Sequence, residues 1–190
     1  MSFENDLTDS SKAFLQLVWP VMKSRLGGGD VIPVESVTDR SMAQMLDQYS
    51  GIDAWHVTGN KQMRGISSRV QFGPKNWDTF TVRYARDSGA PTEYEKRKQD
   101  IESPGGFLYP QITVQAYVSD RSGGELLSIG IIKTSSLIEA CTQIIGGGVS
   151  DRDGGIRRTV NASFIWCNWT WLKSQGYAIK VIQKMKEVSA

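Results

Sequence analysis

Residues 51–71 read GIDAWHVTGNKQMRGISSRVQ, and Asp53 is the one acid in that run. It stands near the head of an apolar stretch. A polar turn follows, and then a second stretch, Ile66-Ser67-Ser68-Arg69-Val70-Gln71. A carboxylate so placed is either half of a metal site completed from the second stretch or a carboxylate at the edge of a hairpin. Cations gather around and after it: Arg64, Arg69, Lys75, Arg83, Arg86, Lys96, Arg97 and Lys98 all fall in the middle third. A basic centre suits a phosphate-contacting face, for which Arg69, Lys75, Arg83 and Arg86 are the candidates, and it also suits an ordinary solvated surface. His56 is the single histidine, which excludes His-rich metal sites and two-histidine mechanisms. Three residues after Asp53 on an extended chain, it points to the opposite face and reads as a structural histidine. Ser67 and Ser68 have no second histidine near them to activate a nucleophile. The two triple glycines, Gly27-Gly28-Gly29 and Gly146-Gly147-Gly148, lack the lysine and hydroxyl residue that complete a phosphate loop.

The elements that position these residues follow from periodicity and punctuation. Serine caps and the spacing of Phe14, Leu17, Val18 and Val21 predict a helix over 10–25, kinked or shortened at Pro20. A short helix is expected over Ser41 to Gln48 after the start signal Thr38-Asp39. Strands at 51–58 and 64–72 form a hairpin across Thr58-Gly59-Asn60-Lys61, and Thr79 to Arg86 alternates as a third strand. On such a strand Arg83 and Arg86, three apart, point to opposite faces. Thr92 and Glu95 make a capping box at the head of the next helix. Strands at 111–119 and 125–133 pair across a glycine turn, and Thr134-Ser135-Ser136 caps a helix that stops at the second triple glycine. Residues 146–158 read as a glycine-rich loop and 179–188 as a final helix. The order predicts an α/β fold, a mixed central β-sheet flanked by helices.

At 190 residues the chain suits one domain, with 39% hydrophobic and 22% charged residues. No apolar run approaches the ~20 residues of a membrane span. The N-terminus, MSFENDLTDSS, is acidic, unlike a signal peptide. Cys141 and Cys167 sit among apolar residues and are expected as buried free thiols, so the protein reads as cytoplasmic. A net charge of +2 does not by itself announce a nucleic-acid binder. Phe164, Trp166, Trp169 and Trp171 crowd the C-terminal third near Arg152, Arg157 and Arg158. Three fates are open to them: stacking on bases, burial in the core, or a homo-oligomer interface.

The helix, the Gly51-Ile52-Asp53 strand with its lead-in Leu46-Asp47-Gln48-Tyr49-Ser50, and the two strands after it resemble the core of the restriction-endonuclease-like (PD-(D/E)xK) nuclease superfamily. The resemblance covers about 40–133, leaving 134–190 as a helical and aromatic C-terminal region. It implies a restriction-endonuclease-like core and a metal-dependent DNA phosphodiesterase. Asp53 would be the first metal ligand, facing an acidic-x-lysine motif on the next strand. In one register Arg69-Val70-Gln71 takes that place, with Gln71 where the lysine stands and arginine where the acid stands; in the other, Ser67-Ser68-Arg69 supplies a cation without an acid. The missing carboxylate would come from Glu93 or Glu95, with Asp47 and Glu35 as further candidates. The catalytic set would then be Asp53, Gln71, Glu93 and Glu95, with Mg²⁺ or Mn²⁺ on Asp53 and Glu93. Without a second acid, the alternative is an inactive DNA-binding or structural, oligomerising protein.

Overall fold

The structure, a computed structural model, describes residues 9–36, 50–103, 108–122 and 124–183. The helix expected over Ser41–Gln48, and with it Asp47, lies outside these residues. Helix α1 runs through 9–25. Pro20 does not end it; a π-helical turn at Phe14–Val18 precedes the proline and the helix continues to Arg25. Phe14, Val18 and Met22, each four residues after the last, form its buried stripe. Val21 lies outside the stripe, 38% exposed.

After a short strand β1 (Asp30–Pro33), the expected hairpin forms between β2 (Ala54–Val57) and β3 (Met63–Phe72). Beyond it come β4 (Thr79–Arg86), helix α2 (Glu93–Glu102), β5 (Ile112–Val118), β6 (Leu126–Lys133) and helix α3 (Thr134–Ile145). The remainder is β7 (Gly154–Arg158), β8 (Ala162–Asn168), helix α4 (Trp169–Ser174) and β9 (Lys180–Gln183). Six strands make a mixed sheet in the order β1-β2-β3-β5-β6-β9, in which β3 and β5 are parallel and the other pairs antiparallel. The α/β class and the mixed sheet are as expected.

Three expectations are corrected. The third strand, β4, does not extend the hairpin's sheet; it belongs to a separate antiparallel sheet of order β4-β8-β7. The end of the glycine-rich stretch is not loop, because Gly154–Arg158 pairs with β8 along its whole length. Lys180–Gln183, expected as helix, is an edge strand on β6. In both of the last two cases a neighbouring strand supplies hydrogen bonds that a short polar segment cannot signal by itself.

One face of the large sheet is covered by α1, with Phe14, Val18 and Met22 packed among Val114, Ala116, Ile129 and Ile131. Against the other face lies a second core, in which α3 packs under the small sheet and joins Leu137, Cys141 and Ile144 to Tyr117, Ile132, Ile165 and Trp169. Cys141 and Cys167 are both buried here as free thiols. Trp169 lies directly over Gly130 of β6: a Cβ at that position would come within 2.5 Å of the indole. The glycine is what lets the largest core side chain approach the sheet. Gly130→Ala is therefore expected to destabilise the protein by about 1–3 kcal/mol through overpacking, read as a lowered urea midpoint at unchanged slope. Among the described residues, no helix is long and apolar enough to cross a membrane.

Candidate functional site

Between the two sheets, the parallel pair β3–β5 turns a polar strip inward. Its register sets Ser67 beside Thr113 and Arg69 beside Gln115, so these four share one face. Gln115 interrupts a strand whose seven residues are all buried, and it is itself 1% exposed. Opposite stand β4 with Thr81, Arg83 and Arg86, and the first turns of α2 with Glu93, Lys96 and Arg97. With Asp53, these residues line a pocket of about 360 Å³.

Arg69 links the parts. Its Nη1 donates to Thr81 O at 3.1 Å and to Thr81 Oγ1 at 2.9 Å, and its Nη2 donates to Glu93 Oε2 at 3.0 Å. Glu93 is the hub. Its Oε2 also accepts from the Arg83 backbone N–H at 3.2 Å, and its Oε1 lies 2.7 Å from Arg97 Nη1. That last contact is an ion pair by distance without the N–H direction of a hydrogen bond. Arg97, 4% exposed, donates through Nη2 to Ser67 Oγ at 2.6 Å. Burial alone would raise the Glu93 pKa. The Arg97 and Arg69 charges, with the Arg83 N–H, outweigh it and hold the carboxyl below its ordinary value. Arg83 is pushed down from the usual arginine value, first by burial and then by the neighbouring Arg86 and Arg69 guanidiniums.

The β4 strand corrects a further expectation. A bulge between Arg83 and Ala85 shifts the alternation by a residue, so Arg83 and Arg86 line the same pocket rather than opposite faces. Five cations thus surround two carboxylates, Asp53 and Glu93. Among the described residues, four buried polar atoms of the lining have no hydrogen-bond partner: Arg83 Nε, Gln115 Nε2, the Ser68 hydroxyl, and Arg97 Nη1, which is only ion-paired with Glu93. The excess of cations and the unpartnered N–H groups of Arg83 and Gln115 both suit an anionic, acceptor-rich ligand.

The other named residues fall as follows. Asp53 is exposed, one residue before β2; its Oδ2 accepts from the Ser68 backbone N–H at 2.5 Å, and its own N–H donates to Ile66 O. Glu95 closes the capping box, accepting from Thr92 N–H at 2.8 Å. Gln71 does not line the pocket with Asp53; it lies in the adjoining cleft. Lys75 sits 3.7 Å from the centre of the Trp77 ring. Glu35 does not line the pocket and accepts from Ser11 Oγ. His56 is fully buried on the other side of the hairpin, with Nε2 2.8 Å from Gly28 O and the Trp19 ring beside it. Sequence reasoning missed Gln115 and the role of Arg97. The first was signalled by an amide in an otherwise apolar strand, the second by its i, i+4 spacing from Glu93.

The carboxylates do not form a fitting cage for Mg²⁺ or Mn²⁺. Glu93 Oε2 already accepts from Arg69 and from the Arg83 N–H while Oε1 lies against Arg97, so a divalent ion there would sit against two guanidiniums. Glu95 is engaged at the helix cap. Among the described residues, no group of three or more His, Cys, Asp or Glu side chains could hold a metal. No family model, no curated protein and no solved structure matches the chain.

Proposed function

We propose that the protein binds DNA through its phosphodiester backbone, and that the pocket between the two sheets takes one phosphate. The observation that carries this reading is the pair of buried, unpartnered donors, Gln115 Nε2 and Arg83 Nε, in a pocket with five cations. A phosphodiester offers a single negative charge and two unesterified oxygens, and arginine matches that geometry. The Glu93 carboxylate fans Arg69 and Arg97 into place, so the guanidiniums are oriented before the ligand arrives. Such pre-organisation lowers the ordering cost of binding. In this reading the nuclease-like pattern around Asp53 serves binding, and Asp53 orders the β3 backbone through Ser68.

The test is anisotropy of a labelled oligonucleotide at several salt concentrations. The wild type is expected to bind with an affinity that falls steeply with salt. Arg83→Gln, which removes one phosphate contact, should weaken binding and flatten the salt slope by about one. Binding insensitive to salt, or an Arg83→Gln protein with the wild-type slope, would overturn the proposal. Cleavage of the same DNA with Mn²⁺, abolished by Asp53→Ala, would replace binding by hydrolysis.

A further inference from the structure

The small sheet has one face buried on α3 and one that is not. On the unburied face the ladder register aligns Arg83 with Phe164 and Arg157, Thr81 with Trp166 and Gly155, and Thr79 with Asn168. This face and the end of β3 enclose a cleft of about 760 Å³, walled by Phe72, Trp77, Phe164, Trp166, Arg121 and Arg157. That volume lies within the range of small-ligand sites, about 300–1,000 Å³. The C-terminal aromatics thus divide. Trp169 and Trp171 are core residues, 2% and 8% exposed, whereas Phe164 and Trp166 alternate out to the cleft.

The two phenylalanines already carry guanidiniums. Arg69 and Arg83 lie 5.7 and 5.4 Å from the Phe164 centroid, and Arg121 lies 5.0 Å from that of Phe72. The indoles are the remaining aromatic walls. Trp77 is 45% exposed, large for such a side chain, and Lys75 lies against its ring. Trp166 lies over Gly155, where a Cβ would come within 3.2 Å of the indole nitrogen. The cleft is continuous with the phosphate pocket: Ser10, Arg69, Val70 and Thr81 line both.

We infer that this cleft takes an unpaired base, so that the protein binds DNA as a single strand, with a phosphate in the pocket and a neighbouring base against Trp166 and Trp77. The inference rests on the phosphate-binding reading. Its grounds are the adjacency of an aromatic slot to a cationic pocket and the charge match of the exposed Arg157 to a polyanion, beside Arg69 and Arg121, which are ion-paired with Glu93 and Asp9. A base inside a duplex is stacked on both faces and cannot offer one to an indole, whereas an unpaired base can.

The experiment compares oligo-dT with an abasic oligonucleotide of equal length, which has the same phosphates and no bases. For the wild type, oligo-dT should bind roughly tenfold tighter or more. Trp166→Ala should erase that ratio while leaving the abasic affinity unchanged, and Trp166→Phe should keep most of it. Trp77→Ala, at an exposed position, should reduce the ratio whether or not Trp166→Ala folds. Equal binding of the two oligonucleotides by the wild type would overturn the base slot and leave the phosphate pocket standing. So would a ratio unchanged in both alanine variants. Binding of neither oligonucleotide would overturn both.

Discussion

Glu93→Ala should cost the protein about 2–4 kcal/mol at neutral pH. That is less than the loss from a fully buried ion pair, because the Glu93 and Arg69 side chains keep 20% and 35% exposure. Among the described residues the carboxylate is the only acid paired with Arg69 and Arg97, and it also receives the Arg83 N–H. Removing it leaves Arg97, 4% exposed, beside Arg69 and Arg83 without a counter-charge. Its pH dependence has a definite sign. The folded-state pKa lies below the ordinary value of 4.5, so the ionised carboxylate favours the folded state. That contribution is complete above the ordinary value and disappears as pH falls through the lower folded one. Urea unfolding between neutral pH and pH 3 should show the wild type losing stability across the acid range. Glu93→Gln, less stable at pH 7, should lose less over the same range. Parallel pH profiles for the two proteins would show that folding does not lower the Glu93 pKa.

The second large effect lies in the core. Trp169→Ala should destabilise by about 3–5 kcal/mol, because the indole fills the space between β6, Phe80 and Tyr117. Among the described residues its Nε1 has no hydrogen-bond partner, so the loss is one of packing. Trp169→Phe should accordingly recover more stability than a hydrogen-bonded indole would allow. This prediction also separates Trp169 from any oligomer interface: a side chain 2% exposed in the single chain cannot form one without the core opening. If Trp169→Ala unfolds at the wild-type urea midpoint, the placement of the indole over Gly130 is wrong.

Much of the framework was legible in the sequence because it depends on local rules. The hairpin around Asp53, the capping box at Thr92 and Glu95, and the paired strands β5 and β6 carry their own periodicity and turn chemistry. What could not be read were the features set by distant pairing. The strand β7 is a glycine and arginine segment that becomes extended because β8 binds it, and β9 is an edge strand made by β6. The division into two sheets follows from β4 choosing β8 over β3, a choice with no local signature.

The site divides in the same way. Of the residues singled out from the sequence, Asp53, Arg69, Arg83, Arg86 and Glu93 line one pocket, whereas Gln71, Lys75 and Glu95 do not. The bulge that puts Arg83 and Arg86 on the same side is a backbone irregularity, invisible to a rule of strict alternation. Glu93 does reach the strand position where the resemblance expects an acid, but it arrives bonded to the arginine that occupies it. The charge pattern of the middle third therefore assembles into a cationic pocket with an internal acidic brace. Such a pocket is better suited to holding a phosphate than to holding a metal.

The most direct test of the phosphate pocket is phosphorus NMR of a thymidine dinucleotide, which carries a single phosphodiester. Added wild-type protein should shift or broaden its phosphorus resonance, and Gln115→Leu, which removes a buried donor without removing a charge, should diminish the effect at equal protein concentration. A resonance that wild-type protein leaves unchanged, or that Gln115→Leu perturbs equally, would contradict the account.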